Sequence, residues 1–202
     1  MMIQYHNRRK QGEEMERKKI ALTGHRPSKL LPEGEKWDLS HPLIVNYGKA
    51  IRRELLKQAG FNTDTQTWDM EQPVQLISGM ALGIDTIGAL VLIRLKTQFP
   101  DLFFLECAIP CAKHESLWPQ SEQKRYHEIL EKADDVTHVS KKTYDNTCMQ
   151  RRNEYMVDEA DVILAVWDGS KSGTGNCVVY ALEKGKPITL IEPISLRVGA
   201  LS

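Results

Sequence analysis

The sequence predicts an α/β fold built on a mostly parallel central sheet. Short apolar runs typical of buried strands alternate with longer segments whose apolar residues have helical spacing. This alternation is typical of βαβ units, in which a helix connects two parallel strands. Three of the apolar runs end in glycine-containing turns, and in a parallel sheet such turns emerge at one edge.

The first half of the domain contains three predicted strands and two predicted helices. The first helix is indicated by the spacing of residues such as Ile44 and Tyr47, and Gly60 is a suitable C-cap. The second helix is apolar on almost all sides, so we expect it to be buried. Residues 30–42 and 61–73 are predicted to be irregular. In chain order, the predicted elements are a strand at residues 19–23, a helix at 43–59, a strand at 74–77, a helix at 84–97 and a strand at 102–109.

The second half of the chain continues the alternation. One run, at residues 162–166, is almost entirely apolar, which predicts a central strand buried on both faces. Together the elements predict one domain at residues 19–193, a flexible extension at 1–18 and a C-terminal tail at 194–202. The elements predicted in this half are a helix at 120–132, a strand at 135–139, a helix at 143–159, a strand at 162–166, a helix at 178–184 and a strand at 187–191.

The composition limits the functions that we expect. The chain has 27 basic and 27 acidic residues, and a formal net charge of zero argues against a broad surface for duplex nucleic acid. There is no apolar run long enough to span a bilayer and no recognisable secretion signal, so we expect a cytoplasmic protein without membrane contact. The four cysteines are then reduced thiols. The spacing of Cys107, Cys111 and His114 is only loosely similar to that of metal ligands, so we predict no metal site.

The turn at residues 78–85 joins the second predicted strand directly to a helix. A helix start leaves backbone N–H groups without partners, and with the helix dipole these groups favour an anion such as phosphate. Gly79 and Gly83 permit tight backbone conformations and the close approach of a ligand. Asp85 is acidic, and is therefore better suited to ribose hydroxyls or to capping the helix. The alternative interpretation is a βα turn that needs glycine only for steric reasons.

Two further strand ends carry small and polar residues. After the first strand, Arg26 can bind a phosphate or carboxylate as a planar fork. After the strand at residues 162–166, a second glycine-rich turn opens a helix and offers another site for an anion. In these two turns, the residues predicted to bind a ligand are Thr23, Gly24, His25, Arg26, Trp167, Asp168, Gly169, Gly173, Thr174, Gly175 and Asn176.

Seven motifs occur along the chain, at residues 23–27, 78–85, 115–119, 150–154, 156–158, 165–169 and 173–176. In this order they resemble the DUF1273 family, the YpsA/YoqJ-like proteins of bacteria and their phages. That family belongs to the SLOG superfamily of Rossmann-like proteins, which includes the DprA DNA-processing proteins and the LOG cytokinin-activating phosphoribohydrolases. The resemblance covers residues 19–192.

The resemblance implies a Rossmann-like three-layer sandwich with a nucleotide pocket at the C-terminal edge of the sheet. LOG enzymes carry a PGGxGTxxE motif whose Glu serves N-glycosidic cleavage, whereas residues 173–176 have no PGG before them and no Glu in register. DprA-like proteins bind single-stranded DNA and the RecA recombinase, and the turn at 78–85 looks like theirs, but the chain lacks their additional domains. Because SLOG relatives often form dimers or larger assemblies, a homo-oligomer is expected.

We therefore expect a domain that binds NAD, ADP-ribose or a related nucleotide, with a role in signalling, stress or phage–host conflict. Backbone amides of the two glycine-rich helix starts would bind phosphates, and Arg26 and Arg152 would add charge-assisted hydrogen bonds. Trp118 or Trp167 would flank the base. Outside the two turns already described, the predicted ligand-binding residues are Ser78, Gly79, Met80, Ala81, Gly83, Asp85, Trp118, Arg152 and Asn153.

Two alternatives stay open at this point. An enzyme that cleaves an N-glycosidic bond would use Glu115, Asp85 or Asp168 as base or nucleophile. A DNA-processing adaptor would instead bind single-stranded DNA and a protein partner.

Overall fold

The structure is a computed structural model that describes residues 16–201 of the chain. The predicted N-terminal extension lies mostly outside the described residues, although Lys18 already belongs to the first strand. The strands are β1 (Lys18–Gly24), β2 (Phe61–Asn62), β3 (Thr67–Trp68), β4 (Val74–Ser78), β5 (Phe103–Ile109), β6 (Asp135–His138), β7 (Val162–Val166), β8 (Ile188–Ile191) and β9 (Val198–Leu201). The helices are α1 (Pro42–Gln58), α2 (Ile84–Gln98), α3 (Gln120–Leu130), α4 (Cys148–Glu159) and α5 (Gly173–Glu183).

Seven strands form one sheet in the order β6-β5-β4-β1-β7-β8-β9. Every neighbouring pair is parallel except β8 with β9, so the predicted α/β fold with a mostly parallel sheet is confirmed. β1 pairs with β4 on one side and with β7 on the other, and the strand order changes direction at this point. In open α/β sheets, ligands bind in the crevice outside the carboxyl ends of the strands at such a switch point.

The sheet lies between two layers of helices. Successive side chains of a strand point to opposite faces, and Ile20 and Leu22 of β1 accordingly join the core that is formed with α1, α2 and α3. Ala21, between them, joins the core that is formed with α4 and α5. All three residues are fully buried. This arrangement is the three-layer sandwich that the family resemblance implies.

Three short strands were not predicted from the sequence. Residues 61–73, predicted to be irregular, contain the hairpin β2–β3, in which the Trp68 ring packs edge-on against Phe61 and Phe99 with centroid distances of 5.0 and 5.2 Å. Residues 194–202, predicted to be a tail, contain β9, which pairs antiparallel with β8 at the edge of the sheet. Strands of two to four residues are too short for an alternating pattern to be recognised.

Two helices begin at positions other than those predicted. α4 begins at Cys148 instead of residue 143, because Asp145 accepts hydrogen bonds from the Thr147 N–H and hydroxyl and holds the preceding residues in a turn. α5 begins at Gly173 instead of residue 178, because the Ser172 side chain accepts a hydrogen bond from the Gly175 N–H at 3.1 Å and caps the helix. The glycine-rich segment after β7 is therefore the first turn of α5.

Candidate functional site

The structure brings three strand-end turns together around a cleft of about 270 Å³ at the carboxyl ends of β1, β4 and β7. One face of α4 completes its wall. A more open hollow of about 540 Å³ lies beside the hairpin β2–β3, and none of the predicted site residues lines it. The predicted ligand-binding residues that line the cleft are Thr23, Gly24, His25, Arg26, Ala81, Asp85, Arg152, Asn153, Gly173 and Thr174.

The turn after β1 is tied to the turn after β7 by a buried histidine. His25 is 2% exposed, and its Nε2 lies 2.8 Å from Asp168 Oδ1 and 3.3 Å from the Asp168 backbone nitrogen. Gly24 allows α2 to begin close to β1, because a Cβ at this position would overlap the Ile84 side chain. Both residues therefore hold the walls of the cleft together.

The turn after β4 is largely satisfied by the protein itself. The Met80 N–H donates to Ser78 Oγ at 3.3 Å, and the Ala81 N–H donates to Asp85 Oδ2 at 3.2 Å. The Arg152 guanidinium lies so close to Gly79 that a Cβ there would overlap it. Two of the amides that were predicted to bind phosphate thus already have acceptors within the chain.

A buried ion pair forms the floor of the cleft. Arg152 Nη1 lies 3.1 Å from Asp85 Oδ2, and both side chains are 7% exposed. Burial raises the pKa of Asp85, while Arg152 and the Ala81 N–H oppose this shift by stabilising the carboxylate. The Nε of Arg152 is also buried, and it has no hydrogen-bond acceptor among residues 16–201. A buried donor without a partner is rare in folded proteins, so a water molecule or a ligand is the expected acceptor for this Nε–H.

Positive charge is in excess around the cleft. Within the part of the chain that the structure describes, exposed Arg26 forms neither an ion pair nor a side-chain hydrogen bond. Its pKa is lowered, mainly by desolvation, with Asp85 opposing the shift and Arg152 adding to it by repulsion. Lys29 crosses the mouth of the cleft, and its Nζ donates to Ser170 Oγ at 2.6 Å. The cleft is therefore lined by three cationic side chains, those of Arg26, Lys29 and Arg152, and by one carboxylate, that of Asp85.

The start of α5 contributes backbone donors. Gly175 donates its N–H to the Ser172 cap, and Asn153 Nδ2 donates to the Gly173 carbonyl oxygen at 3.2 Å, which holds α4 against the helix start. The N–H groups of Gly173 and Thr174 have no acceptor among residues 16–201, and both residues line the cleft. This end of α5 is therefore open to an anion.

Several predicted residues do not reach the cleft. The Trp118 ring packs edge-on against His114 and Tyr126, with centroid distances of 5.3 and 5.8 Å. Trp167 Nε1 donates to the Ser170 carbonyl oxygen at 2.8 Å, and Glu115 lies beside His114 with a side chain that is 15% exposed. The predicted residues that form the turns without lining the cavity are Ser78, Gly79, Met80, Gly83, Asp168, Gly169, Gly175 and Asn176.

The cleft also contains residues that were not predicted. Met149 and Met156 line it from α4, in positions that follow from helical spacing relative to Arg152 and Asn153. That spacing was available in the sequence. Lys29 lies in a short 3₁₀ turn after Pro27, and no local pattern indicates that its side chain reaches the turn after β7.

The Asp168 carboxylate stabilises the turn after β7 in a pH-dependent manner. Hydrogen bonds from Ser170 and the proximity of His25 lower its pKa, so the unfolded state binds a proton more readily than the folded state. We expect Asp168→Asn to lower stability at pH 7 by less than about 1 kcal/mol, because an exposed charge is screened by solvent and this side chain is 39% exposed.

Urea unfolding across pH checks this expectation. The difference between wild type and Asp168→Asn should shrink as the pH falls below about 4, where the unfolded carboxyl takes up its proton. The exposed Asp101→Asn is the control and should show no such pH dependence. A difference that persists unchanged at acid pH would contradict the assignment.

Among the described residues, no group of three or more His, Cys, Asp or Glu side chains is arranged to hold a metal ion. In the same range, none of the helices combines the length and the apolar character that crossing a bilayer requires.

Comparison with protein families gives one match over most of the chain. The YpsA model, described as the YspA SLOG family, matches residues 20–196. The chain is 32% identical over 183 residues to the UPF0398 protein BH1768 of Halalkalibacterium halodurans, covering 89% of this chain and 86% of that protein. It is 30% identical over 168 residues to a UPF0398 protein of Bacillus thuringiensis strain Al Hakam, covering 83% of each chain.

Two solved structures are similar in fold. The chain matches DNA processing protein A (DprA) from Streptococcus pneumoniae with a TM-score of 0.56 and 15% identity, covering 87% of this chain and 50% of that protein. It matches DNA processing protein A from Helicobacter pylori with a TM-score of 0.53 and 16% identity, covering 87% of this chain and 65% of that protein. The chain thus spans half to two thirds of these proteins, and at such identity the likeness concerns the fold.

Proposed function

The chain belongs to the YspA SLOG family, and from this premise we propose that its cleft binds a phosphate-bearing nucleotide or nucleotide-derived ligand. The main observation in support is the buried Nε–H of Arg152, a residue that lines the cleft. This group has no hydrogen-bond acceptor among the described residues. A phosphate oxygen is a suitable acceptor, because hydrogen bonds between guanidinium and phosphate are charge-assisted and strong.

The surrounding groups support an anion in the same place. Arg26 supplies a second guanidinium without an ion-pair partner among residues 16–201, and Gly173 and Thr174 supply two backbone N–H groups at the start of α5. Together these donors can surround a phosphate from two sides. The chain has a formal net charge of zero, so the attraction is local to the cleft and is not a property of the whole surface.

The size of the cleft suggests which part of the ligand is enclosed. Its volume of about 270 Å³ is just below that of typical small-molecule sites, which measure about 300–1,000 Å³. In a ligand such as NAD or ADP-ribose, the phosphates and one ribose would occupy the cleft and the remainder would extend over its mouth. Asp168 does not line the cleft, but it is held against His25 of the cleft wall, and its carboxylate, which is 39% exposed, can accept a hydrogen bond from a ribose hydroxyl in the part of the ligand that extends outward.

Each of the three carboxylates considered for N-glycosidic cleavage already has a partner within the protein or lies outside the cleft. Asp85 pairs with Arg152, Asp168 accepts hydrogen bonds from Ser170, and Glu115 lies outside the cleft beside His114. A catalytic base or nucleophile must reach the reacting atom directly or through one water molecule. Binding without turnover is therefore the function that this arrangement supports best.

Single-stranded DNA is the second ligand class to test. The Helicobacter pylori structure is described for its single-stranded DNA binding mode, and that protein shares the fold of this chain. A strand of DNA would need a basic groove with aromatic platforms for its bases. Trp118 and Trp167 pack within the protein instead, so a mononucleotide or dinucleotide fits the cleft better than a longer strand.

A thermal-shift panel tests the proposal. A ligand that binds only the native state stabilises it by about 2.7 kcal/mol at a concentration one hundred times its Kd. The panel contains NAD, ADP-ribose, AMP, inorganic pyrophosphate and a single-stranded oligonucleotide, and every sample except pyrophosphate is then examined by chromatography for a released base. We expect the nucleotides to raise the Tm without releasing a base. The absence of a shift with every nucleotide at millimolar concentration would refute the proposal.

Arg26→Ala is expected to weaken nucleotide binding about 10- to 150-fold, since a hydrogen bond to a charged group contributes about 1.5–3 kcal/mol. Arg26 is exposed and unpaired among the described residues, so the Tm of the ligand-free protein should change little. Isothermal titration calorimetry measures the Kd. The matched control is Arg94→Ala, an exposed arginine ten residues into α2 and thus about 15 Å from its start. Equal losses in both variants would show that Arg26 has no specific role.

A further inference from the structure

Two cysteines from different elements meet beside the cleft. Cys148 is the first residue of α4, and Cys111 follows β5 at the start of the segment that leads to α3. Their Sγ atoms lie 3.3 Å apart, and both residues are fully buried. The other two cysteines, Cys107 and Cys177, are also fully buried, and neither has a thiol partner within residues 16–201.

We propose that Cys111 and Cys148 are a peroxide-sensitive pair that forms a reversible disulfide within the chain. A disulfide bond is about 2.05 Å long, so the two sulfur atoms must approach by only about 1.3 Å from their present separation. The pair joins a loop after a strand to the first turn of a helix, and neither partner lies in the middle of a rigid element. Such a small movement is within the range of side-chain and helix-end adjustment.

The chemistry requires one molecule of hydrogen peroxide for each disulfide. The thiolate of one cysteine attacks a peroxide oxygen, the O–O bond breaks, and a sulfenic acid and hydroxide are formed. The second cysteine, as its thiolate, attacks the sulfenic sulfur and displaces hydroxide, and the S–S bond forms. The two protons lost by the thiols neutralise the two hydroxides, so two thiols and one peroxide give one disulfide and two waters. A dithiol reductant reverses the reaction by thiol–disulfide exchange.

Access to the pair depends on local opening of the chain. Burial and the neighbouring Cys148 thiol raise the pKa of Cys111 to about 12, so the reactive thiolate is scarce while the site is closed. The segment directly before Cys148 is exposed at nearly every residue from 141 to 147, and segments of this kind open at low free-energy cost. Hydrogen peroxide is small and uncharged, which suits it to a site that opens only briefly.

The cross-link would act on the cleft, and this part of the inference rests on the proposed function. Arg152 lies one helical turn after Cys148, so a displaced start of α4 would alter the pair between Arg152 and Asp85. On the other side, the segment that begins at Cys111 includes His114, whose Nε2 lies 3.3 Å from the Met80 carbonyl oxygen in the turn after β4. Each partner of the disulfide therefore belongs to a segment that contacts a wall of the site, through Arg152 in one case and through His114 in the other.

Peptide mapping of the intact chain tests the cross-link. The protein is reduced, freed of reductant, treated with hydrogen peroxide at pH 8, and digested after the remaining thiols have been alkylated. We expect a linked peptide pair containing Cys111 and Cys148 that disappears on reduction, with Cys107 and Cys177 recovered as alkylated thiols. Cys148→Ser should give no linked pair. Three outcomes would overturn the proposal: no oxidation of the pair, separate oxidation of Cys111 and Cys148, or a link to Cys107 or Cys177. If Cys148→Ser does not fold, the peptide map of the wild-type protein is sufficient to decide.

A binding measurement separates this inference from the proposed function. Pyrophosphate and ADP-ribose are titrated into the reduced and the oxidised protein. A change of at least threefold in Kd between the two forms supports the link to the cleft. Equal Kd values overturn that link and leave the disulfide intact. If neither form binds, the proposed function fails, while the peptide map still decides whether the disulfide forms.

Discussion

Arg152→Met is expected to lower the free energy of unfolding by about 3–5 kcal/mol, because it leaves Asp85 buried without its cation. Methionine fills a similar volume, so the loss comes mainly from the unpaired carboxylate and not from a cavity. Only the Ala81 N–H and the more distant charge of Arg26 would still stabilise that carboxylate. Urea unfolding monitored by circular dichroism measures the difference.

The pH dependence of this variant has a defined sign. Without Arg152, the pKa of Asp85 rises further, so the folded state holds a proton at pH values where the unfolded state has released it. Stability then falls as the pH rises above about 4, the ordinary value for aspartate. The deficit of Arg152→Met should therefore be larger at pH 8 than at pH 5.

The double variant Asp85→Asn/Arg152→Met is the control for the ion pair. Removing both charges should recover a large part of the lost stability, since no unpaired charge is left buried. If Arg152→Met is as stable as wild type, or if the double variant is less stable than the sum of the single changes predicts, the pair does not have the role assigned to it.

Gly83→Ala is expected to lower the free energy of unfolding by about 3 kcal/mol or more. A strained backbone conformation alone costs of order 1–3 kcal/mol, and the new Cβ would also overlap a backbone atom of the turn after β1. Gly83 has a φ of +105°, and a Cβ there would overlap the carbonyl oxygen of His25. That oxygen also accepts the Ile84 N–H at 3.2 Å, at the first residue of α2. The substitution would therefore push the turn after β1 away from the start of α2.

The variant Gly169→Ala separates the cost of the backbone conformation from the cost of the steric overlap with His25. Gly169 also has a positive φ, +86°, but a Cβ there would have nothing within 4 Å. Gly169→Ala should therefore lower the free energy of unfolding by about 1–2 kcal/mol, the cost of placing a residue with a Cβ in the left-handed region. Chemical denaturation of both variants gives the comparison, and an equal loss in the two would show that contact with His25 contributes nothing.

Long apolar segments made much of the fold predictable from the sequence. β7 has the predicted bounds, Val162–Val166, and α2 begins at the predicted residue and ends one residue later, because both segments are buried on nearly all sides. β9 depends instead on pairing with β8, and its residues Val198–Leu201 carry no local pattern. Tertiary pairing, and not local propensity, fixes strands as short as this.

The site was predictable only in part, for a related reason. Glycine and polar residues at strand ends indicated which turns would meet, because parallel strands share one carboxyl edge. The partner of Asp85 could not be read from any local pattern, since Arg152 lies 67 positions away. The sequence indicated donors for phosphate in the turn after β4, whereas the protein's own Ser78 and Asp85 accept two of those hydrogen bonds.

The central place of β1 has a consequence for the order in which the molecule is assembled. Lys19 donates its backbone N–H to Asp161, 142 positions later in the chain. Contacts of such long range slow folding, because a large loop must close before they form. As the chain leaves the ribosome, β1 and β4 are synthesised early, but the opposite wall of the cleft waits for β7 and α5. A nascent chain that does not yet include α5 therefore lacks the part of the cleft wall formed by Gly173 and Thr174, and a ligand can assist only the last stage of folding.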